Sequence, residues 1–194
     1  MSEFLTINTE KNIIQNVVVE PLSVFTEGHP ALSIRVSEFT DSLPDTSISN
    51  IIERMKVTLK HYNGLGLSAN QCGLSLRLFV IGIEGFIITC INPKIINQTG
   101  EIKDKEGCLS YPGLFLNKNR ADNIEVEYLT ENGELKKVEF SGLTARIFQH
   151  ELDHLDGVQF TDNIGNTAML FAREKQKKLI KKFSRIVKKN YGRK

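Results

Sequence analysis

The sequence lacks tryptophan altogether, and it lacks any apolar run of about 18 residues, the length that a membrane-spanning helix needs. Its N-terminal segment has no basic region followed by an apolar core, so we expect no secretory signal. No Arg precedes Arg35, and Glu3, Glu10 and Glu20 lie in that segment, which argues against a transit peptide. We therefore expect a cytoplasmic protein that does not enter a membrane.

Cysteine is scarce too, with Cys72, Cys90 and Cys108 far apart along the chain. An odd number of cysteines without a close pair argues against a disulfide framework and favours free thiols or a metal ligand. Cys90 lies in an apolar stretch, which predicts a thiol buried in the core.

The net charge of +2 conceals an asymmetry between the body of the chain and its end. Residues 173–194 contain eleven Lys or Arg residues and one acid, Glu174, so this segment carries +10 and the other 172 residues carry −8. With 40% hydrophobic and 25% charged residues, the composition predicts one domain over residues 1–194. Its last part, about residues 168–194, is predicted to be a basic helix.

The spacing of apolar residues predicts an α+β fold, with antiparallel β-sheets packed around a central helix and with a C-terminal helix. Ser47 or Ser49 should cap the first helix, and Gly157 should end the central one. A hairpin is expected around Asn132-Gly133. The predicted helices are residues 48–62, 143–156 and 167–190, and the predicted strands are residues 16–20, 76–82, 86–92, 124–129 and 135–140.

The strongest chemical signal is the segment HELDH, residues 150–154, inside the predicted central helix. Residues four apart lie on one face of a helix, so the imidazoles of His150 and His154 can reach a single metal ion. Glu151 then stands beside that ion, where it can move a proton to or from water. The apolar residues around the motif predict a buried helix, in which a histidine pair without a partner would be costly.

Two histidines leave a catalytic metal site incomplete, because such sites usually have three protein ligands and an open position. No histidine follows His154, and Glu174 lies within the basic segment. Asp156 and Asp162 are weak candidates for the third ligand. Upstream, Cys108 offers a thiolate, which suits a soft divalent metal.

Three segments in order resemble one family, the peptide deformylases. Residues 64–71 read GLGLSANQ and are similar to the first family motif, a glycine-led turn that ends in Gln. Residues 106–110 read EGCLS and match the second motif at every position, and residues 149–157, QHELDHLDG, resemble the third. The resemblance implies a hydrolase that removes the formyl group from the N-terminal formylmethionine of nascent polypeptides.

The resemblance also implies the metal site. Cys108, His150 and His154 would hold the ion, and Glu151 would take a proton from water and later deliver it to the departing amine. The family implies Fe²⁺ in the cell. From the residues alone, Zn²⁺, Ni²⁺ and Co²⁺ fit a Cys-His-His set equally well.

The remaining site residues follow from the same resemblance. The side-chain amide of Gln71 and the backbone N–H of Leu109 would stabilise the oxyanion that forms on the formyl group. Gly66 would pair its backbone with the substrate peptide. Ile147 would line an apolar pocket for the methionine side chain.

Two positions depart from the family pattern. Ser68 stands where the first motif usually has alanine, and we expect little effect because serine is small enough to keep the turn. Some members carry an Arg shortly after the second motif that helps to hold the substrate, whereas here no charge occurs before Lys118. Contacts to the substrate backbone should differ on this side, with Phe115 either a packing residue or a substrate contact.

The predicted last helix carries an apolar stripe surrounded by lysines. The stripe either docks the helix on its own domain or leaves it to bind ribosomal RNA, as the C-terminal helix of some bacterial deformylases does. An anionic membrane surface is a third alternative, which the lack of Trp disfavours. We expect a monomer, because no other long apolar stripe is left over. The stripe consists of Leu179, Ile180, Phe183, Ile186 and Val187.

Two other functions are compatible with parts of the sequence. A zinc endopeptidase would use the same HELDH segment but would need a ligand downstream. A non-catalytic relative would bind ribosomes or peptide ends and would have lost a metal ligand or Glu151, whereas the sequence retains all of them.

Overall fold

The structure, a computed structural model, describes residues 19–191, with side chains described through Lys188. Three α-helices pack against two antiparallel sheets, which confirms the predicted α+β class. In chain order the elements are a 3₁₀ turn at Pro30–Ser33, α1 at Thr46–His61, β1 at Gly66–Ser68, a 3₁₀ turn at Ala69–Cys72, β2 at Leu78–Ile83, β3 at Phe86–Thr99, β4 at Ile102–Gly107, β5 at Phe115–Arg120, β6 at Asn123–Leu129, β7 at Leu135–Ser141, α2 at Gly142–Leu155 and α3 at Asn166–Tyr191.

The main sheet has five strands in the order β1-β2-β3-β6-β7, and the hairpin β4–β5 forms a second sheet. Among the described strands, β1 pairs only with β2 and β4 pairs only with β5, so each has one free edge. The predicted hairpin is β6–β7, with Gly133 at a φ of 80° in its turn. The sequence did not predict β4 and β5, because β4 is polar and buries only Glu106.

Strand β3 runs well beyond the predicted end at residue 92. Asn92 adopts a φ of 50°, and the pairing register with β6 shifts between Ile91 and Lys94. The Asn92 side chain bonds the backbone of Phe39 in both directions, as acceptor at 2.8 Å and as donor at 2.7 Å. Asn-Pro therefore marks a bulge that the strand passes through, not the end of the strand. Of the strand predicted at residues 16–20, residues 16–18 lie outside the described part of the chain, and Val19 and Glu20 are not in a strand.

Helix α1 presents the predicted apolar face to the core, but its predicted cap is wrong. Asp45 precedes the helix, and its Oδ1 accepts a hydrogen bond from the backbone N–H of Ile48 at 2.9 Å. Ser47 and Ser49 lie inside the first turn. A carboxylate there also has a favourable interaction with the positive end of the helix dipole, so Asp45 replaces either serine as the cap.

Helix α2 lies at the centre of the fold. Phe148 and Leu155 are fully buried in a core shared with Phe79, Val126 and Cys90, which confirms Cys90 as a core thiol. The helix ends before Gly157, which adopts a φ of 74°. A Cβ at that glycine would lie 2.9 Å from backbone atoms of residues 33 and 35, so glycine is required by space as well as by conformation.

Helix α3 is attached to the rest of the chain along its first half. Arg173 Nη1 donates to Glu27 at 2.9 Å, and Gln176 Nε2 donates to the backbone carbonyl of Pro112 at 2.9 Å. Farther along, Phe183 and Val187 are 58% and 55% exposed. The apolar stripe therefore does not dock on its own domain beyond the first half of the helix. No helix within residues 19–191 is long and apolar enough to cross a membrane.

Candidate metal centre

Helix α2 and the end of β4 bring three candidate ligands together. His150 and His154 lie one helical turn apart, with ring centroids separated by 5.0 Å. Cys108 directly follows β4, and its Sγ lies 3.2 Å from Nε2 of His154. The candidate ligand atoms of the three residues all lie within 4.8 Å of one another, and no other such group occurs among residues 19–191. One thiol and two imidazoles brought this close together are a donor set that would hold a divalent metal ion.

The surroundings shift the pKa values of the two histidines in opposite directions. Burial and the neighbouring His150 hold the pKa of His154 well below its usual value, so this imidazole is neutral, the form that binds metal. Burial acts to lower the pKa of His150, but hydrogen bonds with Cys108 and Glu106 outweigh burial and raise the pKa to about 10. The thiol and the carboxylate therefore favour a positive charge at His150, which a bound metal ion would supply in place of the proton.

Neither of the weaker candidates for the third ligand joins this group. Asp156 lies past the end of α2, where its Oδ1 accepts a hydrogen bond from Arg77 at 2.9 Å. Asp162 accepts from the backbone N–H of Gln159 at 2.8 Å. Of the candidates, the fold brings only Cys108 to the two histidines.

Behind His150 lies a buried ionic network that the sequence analysis missed. Glu106 Oε2 lies 3.1 Å from Nδ1 of His150, which leaves Nε2 of that ring for a metal. Arg120 binds the Glu106 carboxylate through Nε at 2.9 Å and Nη2 at 3.1 Å, and Arg146 Nη1 binds it at 2.6 Å. Arg120 also donates to Asp153 at 2.6 Å. The carboxylate thus fixes the orientation of the His150 ring.

The same network keeps Glu106 ionised. Burial acts to raise its pKa, but hydrogen bonds from His150 and Arg120 outweigh burial and lower the pKa to about 2. In the sequence, the only indication of a role for Glu106 is that it is the first residue of the EGCLS segment. The two arginines that hold Glu106 come from β5 and α2, and no local pattern connects them.

Glu151 lies on α2 beside the ligand group and is 3% exposed. The hydroxyl of Ser68 donates to its Oε2 at 2.7 Å. Burial raises the pKa of Glu151, and the Ser68 hydrogen bond partly opposes that rise. A Cβ on Gly66 would collide with the Glu151 carboxylate, so glycine is needed here for close packing as well as for an accessible backbone.

Gln71 and Leu109 are both next to Cys108, Gln71 through its side chain and Leu109 in the chain. Gln71 is 1% exposed, its Oε1 accepts from the backbone N–H of Ser68 at 2.9 Å, and its Nε2 donates to Ser110 at 3.0 Å. The same Nε2 lies 3.6 Å from Cys108 Sγ, so the amide is oriented toward the ligand group. Within the described chain, no acceptor is found for the backbone N–H of Leu109.

A cleft of about 690 Å³ joins the predicted site residues. Residues of β1 and of β4 line it, and so do Cys108 and His150 of the ligand group. Phe115 also lines it and is 47% exposed, so this residue is available for contact and is not an ordinary packing residue. His154 does not line the cleft. The predicted residues that do are Gly66, Gln71, Cys108, Leu109, Ile147, His150 and Glu151.

Sequence comparisons match the same part of the chain. A family model described as "Polypeptide deformylase" matches residues 21–169. The peptide deformylase of Thermotoga sp. (strain RQ2) is 41% identical over 152 residues, which are 76% of this chain and 90% of that protein. The peptide deformylase of Aquifex aeolicus is 39% identical over 143 residues, which are 71% of this chain and 85% of that protein.

Solved structures have the same fold. The crystal structure of peptide deformylase from Thermotoga maritima has a TM-score of 0.72 and 37% sequence identity, covering 75% of this chain and 99% of that one. A peptide deformylase from Synechococcus elongatus in complex with actinonin has a TM-score of 0.76 and 32% identity, covering 90% of this chain and 94% of that one.

Proposed function

Because this chain belongs to the polypeptide deformylase family, we propose how its residues hydrolyse the N-formyl group of nascent polypeptides. As a member of that family, the protein is a hydrolase, and formate is the product. The observation that carries the residue assignment is the position of Glu151 beside the group formed by Cys108, His150 and His154, in a cleft that Glu151, Cys108 and His150 line.

In this proposal Cys108, His150 and His154 hold a divalent metal ion. When bound, the ion supplies a Lewis acid and lowers the pKa of water toward neutrality. Fe²⁺ is the ion proposed for the cell, and Zn²⁺, Ni²⁺ or Co²⁺ can substitute for it. One thiolate and two imidazoles are compatible with all four ions, and the choice of iron rests on the family resemblance.

Glu151 is the general base and then the general acid. Its carboxylate takes the proton of the attacking water and delivers it to the amine nitrogen as the carbon–nitrogen bond of the formamide breaks. The upward shift of its pKa by burial supports this role, because a carboxyl group that transfers protons both ways works best with a pKa near the working pH. The Ser68 hydroxyl orients the carboxylate.

Gln71 and Leu109 stabilise the negative charge on the formyl oxygen. Gln71 Nε2 has two hydrogens, and its bond to Ser110 leaves the second available toward Cys108. The backbone N–H of Leu109 is a second donor. Fixed donors directed at a developing oxyanion need no reorganisation during the reaction, and losing one typically costs about 10²–10³ in kcat.

The substrate peptide adds a strand between the free edges of β1 and β4. Gly66 offers backbone groups to it, which allows recognition without regard to most downstream side chains. The methionine side chain enters the apolar part of the cleft, where Ile147 is 8% exposed. Main-chain pairing then supplies affinity, and the methionine pocket supplies specificity.

Formate release tests the proposal. The protein would be purified anaerobically with Fe²⁺ and given formyl-Met-Ala-Ser, with acetyl-Met-Ala-Ser and casein as controls. We expect formate from the formyl peptide and no cleavage of either control. Bound metal without formate, together with cleaved casein, would instead support an endopeptidase and leave Cys108 without its proposed role.

The second half of α3 is proposed to bind ribosomal RNA, and the enzyme is proposed to work as a monomer in the cytoplasm, where nascent chains emerge. The proposal of RNA binding is supported by the positive charge and the exposure of this part of α3. Lys181, Lys182 and Arg185 lie on a part of the helix that is exposed throughout. Neutralisation of RNA phosphates by such side chains gives binding that falls steeply with salt.

Ribosome cosedimentation across a salt series tests this proposal. Substituting Lys181, Lys182 and Arg185 with glutamine should weaken binding and reduce its salt dependence. A control variant with Lys94, Lys136 and Lys137 changed to glutamine removes the same charge from the body. Equal binding by the two variants would contradict a specific role for α3.

A further inference from the structure

A second cleft, of about 1160 Å³, lies between the β4–β5 hairpin and α3. We refer to it as the hairpin–helix cleft. One face of α3 lines it, because the lining residues follow one another at intervals of three or four, as residues on one side of a helix do. They are residues 168, 171, 172, 175 and 179. From the hairpin side, Lys103 and Lys105 line it. They are two residues apart in β4, so they leave the strand on the same side, opposite to the buried Glu106.

The hairpin–helix cleft adjoins the cleft at the metal centre. Lys105, Gly113 and Phe115 line both. Strand β4 leads from Lys103 to Gly107, and Cys108 follows it directly. An extended chain that lies along the free edge of β4 with its N-terminus at Cys108 therefore passes Lys105 and then Lys103.

The cleft carries lysines that no described side chain neutralises by an ion pair. Among the described side chains, no acid lies within ion-pair distance of Lys103, Lys105 or Lys175, and all three residues are exposed. Of the two acids that line the cleft, Asp153 is already paired with a buried arginine and Asp162 accepts a backbone hydrogen bond. An anionic ligand would therefore meet free ammonium groups.

The cleft also has exposed aromatic surface. Phe115 on the hairpin is 47% exposed and Phe171 on the helix is 58% exposed. The ammonium group of Lys105 lies 4.6 Å from the centroid of the Phe115 ring. A ligand with acidic groups and some apolar surface fits this combination, and a polypeptide with acidic residues has both.

We infer that the hairpin–helix cleft binds the part of the nascent chain downstream of the formylated methionine and favours acidic side chains there. This inference rests on the proposed function, because the substrate would enter from the metal-centre cleft. The lining that the two clefts share favours the substrate's own chain over a separate ligand such as RNA. Substrates with acidic residues after the first few positions would therefore be processed faster than basic ones.

The test compares formyl-Met-Ala-Ser with longer peptides that continue it by six residues, rich in Asp, in Lys or in Ser. We expect the acidic extension to have a kcat/KM about fivefold above the basic one, because exposed ion pairs are each weak but several act together. The difference should shrink as salt is raised, since the lysines are exposed to solvent.

Charge reversal then identifies the cleft. The double variant Lys103→Glu, Lys175→Glu should reverse the preference for acidic over basic extensions, while turnover of formyl-Met-Ala-Ser stays unchanged. Lys177→Glu is the matched control, because this residue lies on the same helix but does not line the cleft. The Lys177→Glu variant should keep the preference of the unsubstituted enzyme for acidic over basic extensions.

The outcomes separate the two proposals. No formate from formyl-Met-Ala-Ser would overturn the proposed function itself. Turnover of that peptide with equal kcat/KM for all extensions would overturn the inference alone. The inference would also be overturned if the double variant lost affinity for RNA but kept the substrate preference, because the cleft would then be a nucleic-acid site.

Discussion

Ser68 donates a hydrogen bond to Oε2 of Glu151 across 2.7 Å, at a place where the two residues are 0% and 3% exposed. The pair joins β1, which offers its free edge to the cleft, to the helix that carries the two histidines. From the sequence we expected serine at this position to have little effect, because it only had to be small. The structure instead gives its hydroxyl a buried carboxyl oxygen as acceptor, with the backbone carbonyl of Glu151 as an alternative at 2.9 Å.

Replacing this hydroxyl should be costly for stability. With metal bound, Ser68→Ala should lower the free energy of unfolding by about 1.5–3 kcal/mol, the usual contribution of a hydrogen bond to a charged group. Ser110→Ala is the control, because Ser110 is equally buried but bonds the neutral amide of Gln71. That variant should lose only about 0.5–1.5 kcal/mol. Urea denaturation measures both, and an equal loss would contradict a charged Glu151 in the folded state.

Glu151 itself should be needed for turnover and not for metal binding. Glu151→Ala should retain a full complement of metal, measured by elemental analysis, and should lower kcat by about 10²–10⁴, the usual contribution of general acid–base catalysis. Glu139→Ala removes an exposed carboxylate and should leave both quantities unchanged. Full activity in Glu151→Ala would eliminate the proposed proton transfer.

The ligand group could be predicted because two of its members are close in sequence and the third lies in a recognisable motif. His150 and His154 are four residues apart on a helix, and that spacing alone places two imidazoles on one face. Cys108 lies 42 residues before His150 in sequence, and only the EGCLS segment indicated that the fold returns it to the helix. Spacing thus predicted two ligands, and the resemblance supplied the third.

The supporting network could not be predicted in the same way. Arg120 and Arg146 converge on Glu106 from β5 and α2, so their contact depends on how the hairpin packs against the helix. The strands of that hairpin also escaped prediction, because β4 faces solvent along most of its length. The prediction of the α1 cap failed for a simpler reason. Asp45 and the two serines are all suitable cap residues, and only the path of the backbone selects one of them.

Glu106 should control metal affinity through His150. Glu106→Gln keeps the shape of the side chain but removes the charge that fixes the ring, so affinity for Zn²⁺ or Co²⁺ should fall by about 10–100-fold. Competition with a chelator measures this directly, without any assay of turnover. The control variant is Asp104→Asn. Asp104 lies on the same strand but is exposed, so this substitution should leave the metal affinity unchanged. Circular dichroism would verify that both variants are folded, and unaltered affinity in folded Glu106→Gln would refute the role.

Glu131 should make the stability depend on pH at a point remote from the metal centre. It lies between β6 and β7, pairs with Lys56 of α1 at 2.7 Å and accepts from the Thr89 hydroxyl at 2.6 Å. Burial acts to raise the pKa of Glu131, but hydrogen bonds from Lys56 and Thr89 outweigh burial and lower it below the usual value. The folded state therefore holds the charged form more tightly than the unfolded state does.

A lowered carboxyl pKa stabilises the fold fully above the unfolded pKa of about 4.3, and this contribution disappears as pH falls through the folded value. Glu131→Gln should therefore lower the free energy of unfolding by up to about 1 kcal/mol at pH 7, a partly exposed pair being screened by solvent. The difference from the unsubstituted protein should shrink as pH is lowered below the unfolded pKa. Glu134 lies in the same turn but is exposed, so Glu134→Gln should change the free energy of unfolding little, both at pH 7 and below the unfolded pKa. Denaturant unfolding at the two pH values checks this, and a loss in Glu131→Gln that does not change with pH would mean that the Glu131 charge contributes nothing.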